Sequence, residues 1–222
     1  MSDIALMIDS FPKVLMAGLK MTLPLTVLSF TLALLIAVIV ALIQYAKVPV
    51  LTQLSRFYIW VFRGTPLLVQ LFIVFYGLPS IGVRIEAFTA ALLVFGVNEG
   101  AYCAETIRGA LESVNRGQLE AGQCVGLTYP KIMWHIVLPQ AFKAAFPSLG
   151  NNLIAMLKDT SLAANITVTE MFFATQRIAG RNYRFMTMYI LVAIVYLMFS
   201  TVLTYLQRYG EKKLNKYEAK GN

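Results

Sequence analysis

Five long apolar segments, separated by short polar stretches, are the feature that most constrains the fold of this chain. The chain has 222 residues, of which 58% are hydrophobic and 14% are charged, whereas about 25% of residues in a soluble domain are charged. A run of about 20 apolar residues is long enough to cross a bilayer as a helix. We predict spans at residues 23–43, 57–78, 87–111, 142–166 and 186–206. The sequence therefore predicts an all-α integral membrane bundle of about five spans, with too little length left for a nucleotide-binding domain.

The polar stretches complete a single transmembrane domain that covers residues 1–222. We expect a short amphipathic lead up to residue 16, lying along the membrane surface, and a loop at residues 44–56. A long polar loop is predicted at residues 112–140, and a basic tail at residues 207–222. No part of the chain is expected to form a second domain.

The basic residues predict an orientation in the membrane. The net charge of +8 fits the tendency of Lys and Arg to gather in cytoplasmic loops, so nucleic-acid binding is not expected. With the 112–140 loop and the tail in the cytoplasm, twelve basic residues lie inside and six outside. Five spans then place the N-terminus outside and the C-terminus inside. The cluster of Arg177, Arg181 and Arg184 runs against this bias, since the arrangement places it outside.

The polar loop has its own pattern. Glu120-Ala121-Gly122 is followed by Gly126, which permits a tight bend between two short helices. Apolar residues then recur at helical spacing and are expected to form one face, which suits docking into a groove on a partner. These residues are Ile132, Met133, Ile136 and Val137. We expect Leu138-Pro139 to end the second short helix.

This loop resembles the coupling loop of ABC importer permeases, and three further blocks extend the resemblance. They are Arg63-Gly64-Thr65-Pro66-Leu67-Leu68-Val69-Gln70, Asn98 with Ala101-Tyr102 and Ala104-Glu105, and Lys158-Asp159-Thr160-Ser161-Leu162-Ala163. Together the blocks resemble the permeases for histidine, glutamine, arginine and cystine, and look most similar to the cystine permeases. The loop differs from the family pattern at Gly122, where alanine is usual.

The resemblance implies a fold, partners and a location. The fold is that of a type I ABC importer permease in the bacterial cytoplasmic membrane. The implied partners are a pair of ATP-binding subunits, a second permease copy (identical or paralogous), an extracytoplasmic solute-binding protein, the lipid bilayer and an amino-acid substrate. The chain itself is then not an enzyme and holds no cofactor or metal, since ATP and Mg²⁺ belong to the partner ATPase.

Polar residues inside the predicted spans are candidates for contact with an amino acid, whose ammonium and carboxylate groups both need partners. Glu99 and Tyr102 share one helix face, and Glu99 is a candidate for an ammonium group. Thr160, Ser161 and nearby backbone N–H groups suit a carboxylate. The full set of candidates is Asn98, Glu99, Tyr102, Lys158, Asp159, Thr160 and Ser161.

Several of these residues have alternative roles. Glu99 can instead pair with Lys158 or be protonated, and Lys158 with Asp159 can form an internal pair. Glu105 is expected to form a structural ion pair with Arg108, three residues further along the helix. The block from Arg63 to Pro66, with Gly64 and Thr65, is a candidate for a structural or pathway role, and Arg63 in particular for an interface anchor or a substrate ligand.

The sequence thus predicts a permease that imports a polar amino acid, with L-cystine first and arginine, glutamine or histidine as alternatives. A function of another class, an ion-coupled carrier or channel without an ATPase, is also compatible with the charged groups in the third and fourth spans.

Overall fold

The computed structural model describes residues 2–215, and these residues are almost entirely helical. Ten α-helices follow one another along the chain, joined in places by π-helical or 3₁₀ turns. They are α1 (Asp3–Ala17), α2 (Leu23–Tyr45), α3 (Pro49–Gly64), α4 (Leu67–Phe72), α5 (Ala87–Ser113), α6 (Arg116–Cys124), α7 (Tyr129–Ile132), α8 (Leu138–Asp159), α9 (Met171–Asn182) and α10 (Phe185–Asn215).

The first span is part of a longer helix than predicted. A π-helical turn at Gly18–Thr22 joins α1 directly to α2, so that Asp3–Tyr45 forms one helix of 43 residues. The expected lead along the membrane surface is wrong: α1 continues the axis of the span, and its buried residues Leu6 and Val14 pack with residues of α9 and α10. The two threonine hydroxyls of α2 are satisfied within the helix: Thr26 Oγ1 donates to the carbonyl of Thr22 at 2.7 Å, and Thr31 Oγ1 donates to that of Val27 at 2.8 Å.

Helices α2 and α5 pack closely and form the centre of the bundle. Small residues recur at every fourth position of α2 and are fully buried; they are Ala33, Ala37 and Ala41. On α5, a Cβ atom added to Gly96 lies 2.6 Å from Leu32, and one added to Gly100 lies 3.1 Å from Ile36. Small side chains let the two backbones approach, which is the usual basis of helix packing in membranes.

The second span is broken. The predicted loop at 44–56 shrinks to a short turn, because α3 already begins at Pro49. Helices α3 and α4 then meet at an angle of 101° around Thr65-Pro66, where the proline cannot continue α3. Gln70 Nε2 donates to the carbonyl of Phe62 at 3.0 Å and to Thr65 Oγ1 at 2.8 Å. Free carbonyls at the end of α3 are thus satisfied, which stabilises the bend.

The helix after the polar loop does not end where predicted. The structure continues from α7 through a π-helical turn at Met133–Val137 into α8 without interruption, so Leu138-Pro139 lies inside a helix. The wider π turn directly before Pro139 makes room for a ring that clashes with a carbonyl in a regular helix. After α8, a 3₁₀ turn at Thr160–Ile166 takes up the end of the predicted fourth span.

Within residues 2–215, three helices are long and apolar enough to cross a membrane, namely Asp3–Tyr45, Ala87–Ser113 and Phe185–Asn215. The bent pair of α3 and α4 with its following turns counts as a fourth. Helix α8 is long enough but more polar, so the total of five spans stays a prediction. The predicted basic tail is helical as far as Asn215, and residues 216–222 lie outside the described part.

Candidate functional site

A cavity with polar and apolar lining opens between α4, α5, α8 and the 3₁₀ turn that follows α8. It has a volume of about 310 Å³ and is lined by Leu67, Asn98, Glu99, Tyr102, Asn152, Ala155, Asp159 and Leu162. Four of the seven residues predicted to contact substrate therefore line one cavity. The spacing of Asn98, Glu99 and Tyr102 on α5 brings them to it, and the bend after α3 brings Leu67.

The other three candidates do not line this cavity. The hydroxyl of Thr160 is buried and donates to the carbonyl of Leu157 at 2.7 Å. The hydroxyl of Ser161 donates to the carbonyl of Lys158 at 2.8 Å. Both hydroxyls therefore satisfy carbonyls at the end of α8. The side chain of Lys158 is exposed, and within residues 2–215 it forms no ion pair with Glu99 or Asp159.

The cavity is acidic. Its two ionisable residues other than tyrosine are Glu99 and Asp159, and none of the described residues that line it is basic. The carboxylate of Glu99 accepts a weak hydrogen bond from Cys103 Sγ at 3.6 Å, and Asn152 Nδ2 lies 3.5 Å from the same sulfur. Two carboxylates that share a cavity without a basic residue in its lining favour a cation such as an ammonium group.

Asn98 has a structural task as well. Its Nδ2 atom donates to the carbonyl of Phe62 at 2.9 Å and to Gln70 Oε1 at 3.0 Å. Both amide hydrogens are thereby engaged at the bend between α3 and α4. Asn98, in the wall of the cavity, is thus connected through Gln70 to the Arg63–Pro66 block, because Gln70 in turn donates to Thr65.

Below the cavity, charged side chains continue along α5. The guanidinium of Arg63 lies 5.1 Å from the ring centre of Tyr102 and 3.8 Å from Glu105 Oε2. The expected pair between Glu105 and Arg108 is present, with Nε and Oε1 3.0 Å apart. Arg108 also contacts Glu112 at 2.7 Å. The ion pairs therefore run from the edge of the cavity toward the polar loop.

The polar loop bends at Gly126 as expected, between the short helix α6 and the helix that begins with α7 and continues into α8. This glycine has φ of +77°, a left-handed conformation that disfavours other residues. Gly122 is buried where a Cβ atom lies 2.9 Å from Ile132 Cγ1, which explains why a very small residue stands there. Glu120 and Ala121 are exposed and available to a partner.

The apolar face predicted for docking is wrong. Ile132, Met133 and Val137 are buried and pack inside this chain against residues of α5 and α8. Helical periodicity indicates that such a face exists but not which surface covers it. The exposed apolar side chains of the loop lie elsewhere, at Val125, Tyr129 and Trp134, the last of them 71% exposed. These three side chains define the exposed loop face.

Two functional candidates were missed from the sequence. Asn152 lines the cavity, and it lies in a segment where only the charged and hydroxyl residues were considered. Glu170 is fully buried; its carboxylate caps α9 by accepting from the Phe173 N–H at 2.6 Å and accepts from the Tyr196 hydroxyl at 2.8 Å. An acidic residue near spans rich in apolar residues was the signal that could have identified Glu170.

Comparison with known proteins agrees with this architecture. Residues 33–216 match the family described as binding-protein-dependent transport system inner membrane component. The L-cystine transport system permease protein TcyB of Bacillus subtilis is 41% identical over 96% of this chain and 91% of its own length. The probable amino-acid ABC transporter permease protein PatM of Vibrio harveyi is 42% identical over 96% of this chain and 97% of its own length.

A solved structure is similar over nearly the whole chain. A crystal structure of an amino acid ABC transporter with histidines aligns with a TM-score of 0.88 and 32% identity, covering 96% of this chain and 99% of that one. The chain therefore belongs to the inner membrane components of binding-protein-dependent transport systems, and within them to the amino-acid ABC permeases. It is a transport subunit of an inner membrane importer, and ATP hydrolysis is the task of a separate subunit.

Proposed function

We propose that this permease imports L-cystine across the cytoplasmic membrane. The supporting observation is the similarity to a cystine permease, TcyB, at 41% identity over 96% of the chain. The chemistry of the cavity is compatible, since cystine has two ammonium groups and the cavity presents two carboxylates, Glu99 and Asp159. The alternative is another polar amino acid such as arginine, glutamine or histidine, because PatM is equally similar and its name leaves the substrate open.

The proposed roles follow from the lining of the cavity. Glu99 and Asp159 bind ammonium groups, while the Tyr102 hydroxyl and the Asn152 amide donate to a carboxylate. Lys158, at the exposed end of α8, attracts the carboxylate as the substrate enters or leaves. Asn98 holds the cavity wall in place through the bend. Thr160 and Ser161 contribute through the geometry of the turn that they stabilise.

We further propose the assembly and the cycle. Two permease copies enclose one pathway, an extracytoplasmic binding protein delivers the substrate, and two ATPases that bind ATP and Mg²⁺ dock on the loops of residues 112–140. The loop with Glu120, Ala121 and Gly126 and the helix continuing through Leu138-Pro139 transmit closure of the ATPases to the spans. The N-terminus lies outside and the C-terminus in the cytoplasm. Transport then proceeds by alternating access, driven by the different contacts that each state makes.

The test of the substrate is uptake into vesicles that contain this chain, its ATPase and its binding protein. We expect ATP-dependent uptake of radiolabelled L-cystine, competed by diaminopimelate and other close diamino-acid analogues but not by arginine, glutamine or histidine. ATP-dependent uptake of a different amino acid would remove cystine and leave the importer. Uptake that ignores ATP would favour an ion-coupled carrier instead.

The test of the cavity is the substitution Glu99→Gln in the same vesicles. We expect the KM for uptake to rise about tenfold, since a neutral amide loses most of the attraction to an ammonium group. The control is Glu86→Gln, which alters an exposed carboxylate just before α5 and leaves KM unchanged. An unaltered KM and rate in the Glu99 variant would exclude this residue from substrate binding.

A further inference from the structure

A second cavity, with a volume of about 680 Å³, opens between the end of α2, α3 and α5. We call it the basic groove; Gln44, Lys47, Gln53, Arg56 and Trp60 are among the residues that line it. Gln44 and Lys47 also line a neighbouring cavity together with Arg116 and Glu120 of the polar loop. The basic groove therefore lies at the same end of the bundle as this loop and is separate from the cavity that contains Glu99.

The charges of the basic groove do not cancel. Its two carboxylates, Glu105 and Glu112, are both paired with Arg108, at 3.0 and 2.7 Å, and Glu105 also lies 3.8 Å from Arg63. Lys47 and Arg56 remain, and neither has an ion-pair partner within residues 2–215. The groove thus presents two unpaired cations, which is the requirement for binding an anion.

A neutral donor in the groove is also without a partner. The Nε2 atom of Gln44 is buried and forms no hydrogen bond within the described residues. A buried amide donor without an acceptor costs free energy unless a ligand or water accepts from it. Gln44 and Lys47 both line the groove. Since the Nε2 atom is covered by its own chain, the amide must turn toward the groove before an anionic oxygen bound at Lys47 can accept from it.

An exposed apolar stripe leads away from the groove along α3. Its members are Val50, Leu54, Phe57 and Trp60, each more than half exposed, and they recur at helical spacing. Trp60 belongs to both the stripe and the groove lining. A tryptophan at the junction of polar and apolar surface is typical of the level of lipid headgroups.

We propose that the basic groove binds the phosphate of an anionic phospholipid, with its acyl chains along the stripe on α3. Lys47 and Arg56 bind the phosphodiester, and Gln44 donates a hydrogen bond to it once its amide turns toward the groove. Basic pockets between membrane helices are known to select anionic headgroups in this way. The charge complementarity and the adjoining apolar stripe together favour a lipid over a small anion. The proposal is independent of which amino acid the permease transports.

The experiment uses the fluorescence of Trp60. The chain has two tryptophans, so Trp134→Phe leaves Trp60 as the single tryptophan of the permease in nanodiscs, and it is excited selectively over tyrosine. Brominated phosphatidylglycerol and brominated phosphatidylcholine are titrated into a neutral bilayer, and quenching is recorded. We expect phosphatidylglycerol to quench at a mole fraction at least about fivefold lower, from the attraction of two cations.

The double substitution Lys47→Gln/Arg56→Gln is expected to abolish this preference, whereas Lys47→Arg/Arg56→Lys keeps it. The matched control is Lys20→Gln/Arg181→Gln, which removes the same charges at exposed positions outside the groove lining and keeps the preference. Equal quenching by both lipids, or a preference that survives the double substitution, overturns the proposal. Displacement of phosphatidylglycerol by inorganic phosphate at matched ionic strength overturns the lipid in favour of a free phosphate.

Discussion

Several side chains in this permease have structural roles that could not be predicted from the sequence. Glu99 is prominent because a carboxylate stands inside an apolar segment, and it lines the cavity as expected. Asn152 has the same place in the cavity but is one of two neighbouring asparagines, and only packing shows which one faces inward. Hydrogen bonding, not composition, separates a residue that lines the cavity from one that closes a helix end, as for Thr160 and Ser161.

Tyr196→Phe tests the buried carboxylate at the start of α9. The tyrosine hydroxyl donates to Glu170 Oε2 at 2.8 Å, and losing a donor to a fully buried carboxylate costs about 1–3 kcal/mol. We expect a lower Tm for the permease–ATPase complex in detergent. The control is Tyr209→Phe, at a position that is 65% exposed; if both variants melt at the same temperature, the contact with Glu170 does not stabilise the protein.

At the scale of elements, helix continuity was the hardest property to predict. Pro139 was expected to end a helix but lies inside one, whereas Pro130 lies in the first turn of a helix that follows a turn. The π turn before Pro139 is a rearrangement of hydrogen bonds that no residue pattern indicates. The break at Pro66 has a cause that is visible in the sequence, because the proline removes a backbone donor within a predicted span.

Gln70→Leu tests the bend between α3 and α4. The amide of Gln70 donates to Phe62 and Thr65 and accepts from Asn98, so the change leaves several polar groups unsatisfied. We expect a clear loss of thermal stability, corresponding to about 1–3 kcal/mol. Gln140→Leu serves as control, since its amide donates to a carbonyl of its own helix at an exposed position. Equal melting of the two variants would show that the bend does not need this amide.

Trp134→Ala tests the exposed loop face. A large aromatic side chain at the centre of an interface commonly contributes 2 kcal/mol or more, so we expect the affinity of the permease for its ATPase to fall at least about tenfold. The measurement is surface plasmon resonance with the permease in nanodiscs. Tyr205→Ala, on an equally exposed aromatic of α10, is expected to bind normally. Normal binding by the Trp134 variant would move the docking surface away from this face.

For the whole molecule, the family and the all-helical fold could be predicted from sequence blocks. Which element packs against each apolar helix face could not be predicted. The apolar face formed by Ile132, Met133 and Val137 would show the same sequence pattern whether it packed on α5, as it does, or on a partner. Helical periodicity of apolar residues indicates that a helix face is buried. Only the arrangement of the helices shows which element covers that face. The same limit applies to the lead, whose amphipathic pattern fits a membrane surface as well as α9 and α10.

Gly126→Asp tests communication between the loop and the spans. A left-handed backbone costs Asp less than most residues with a side chain, so the main expected effect is the negative charge placed at the bend between α6 and α7, where the ATPase is proposed to dock. We expect transport to fall at least about tenfold while membrane insertion and ATPase activity persist. Gly82→Asp is the matched control, because Gly82 also has positive φ, at +86°, and open space around it, but lies outside the loop. Transport at the normal rate in the Gly126 variant would contradict a coupling role.

The 43-residue helix Asp3–Tyr45 is longer than the hydrocarbon layer of a bilayer is thick. At 1.5 Å per residue it is about 65 Å long, roughly twice the thickness of the hydrocarbon layer. The tilt of a membrane helix rarely exceeds about 40°. A tilt of about 60° would be needed to bury the whole of this helix in the hydrocarbon layer. Part of it must therefore stand in water, and α2 alone is already long enough to cross. The helix therefore extends beyond the hydrocarbon layer, and its N-terminal end carries an ion pair between Asp3 and Arg184 at 3.3 Å.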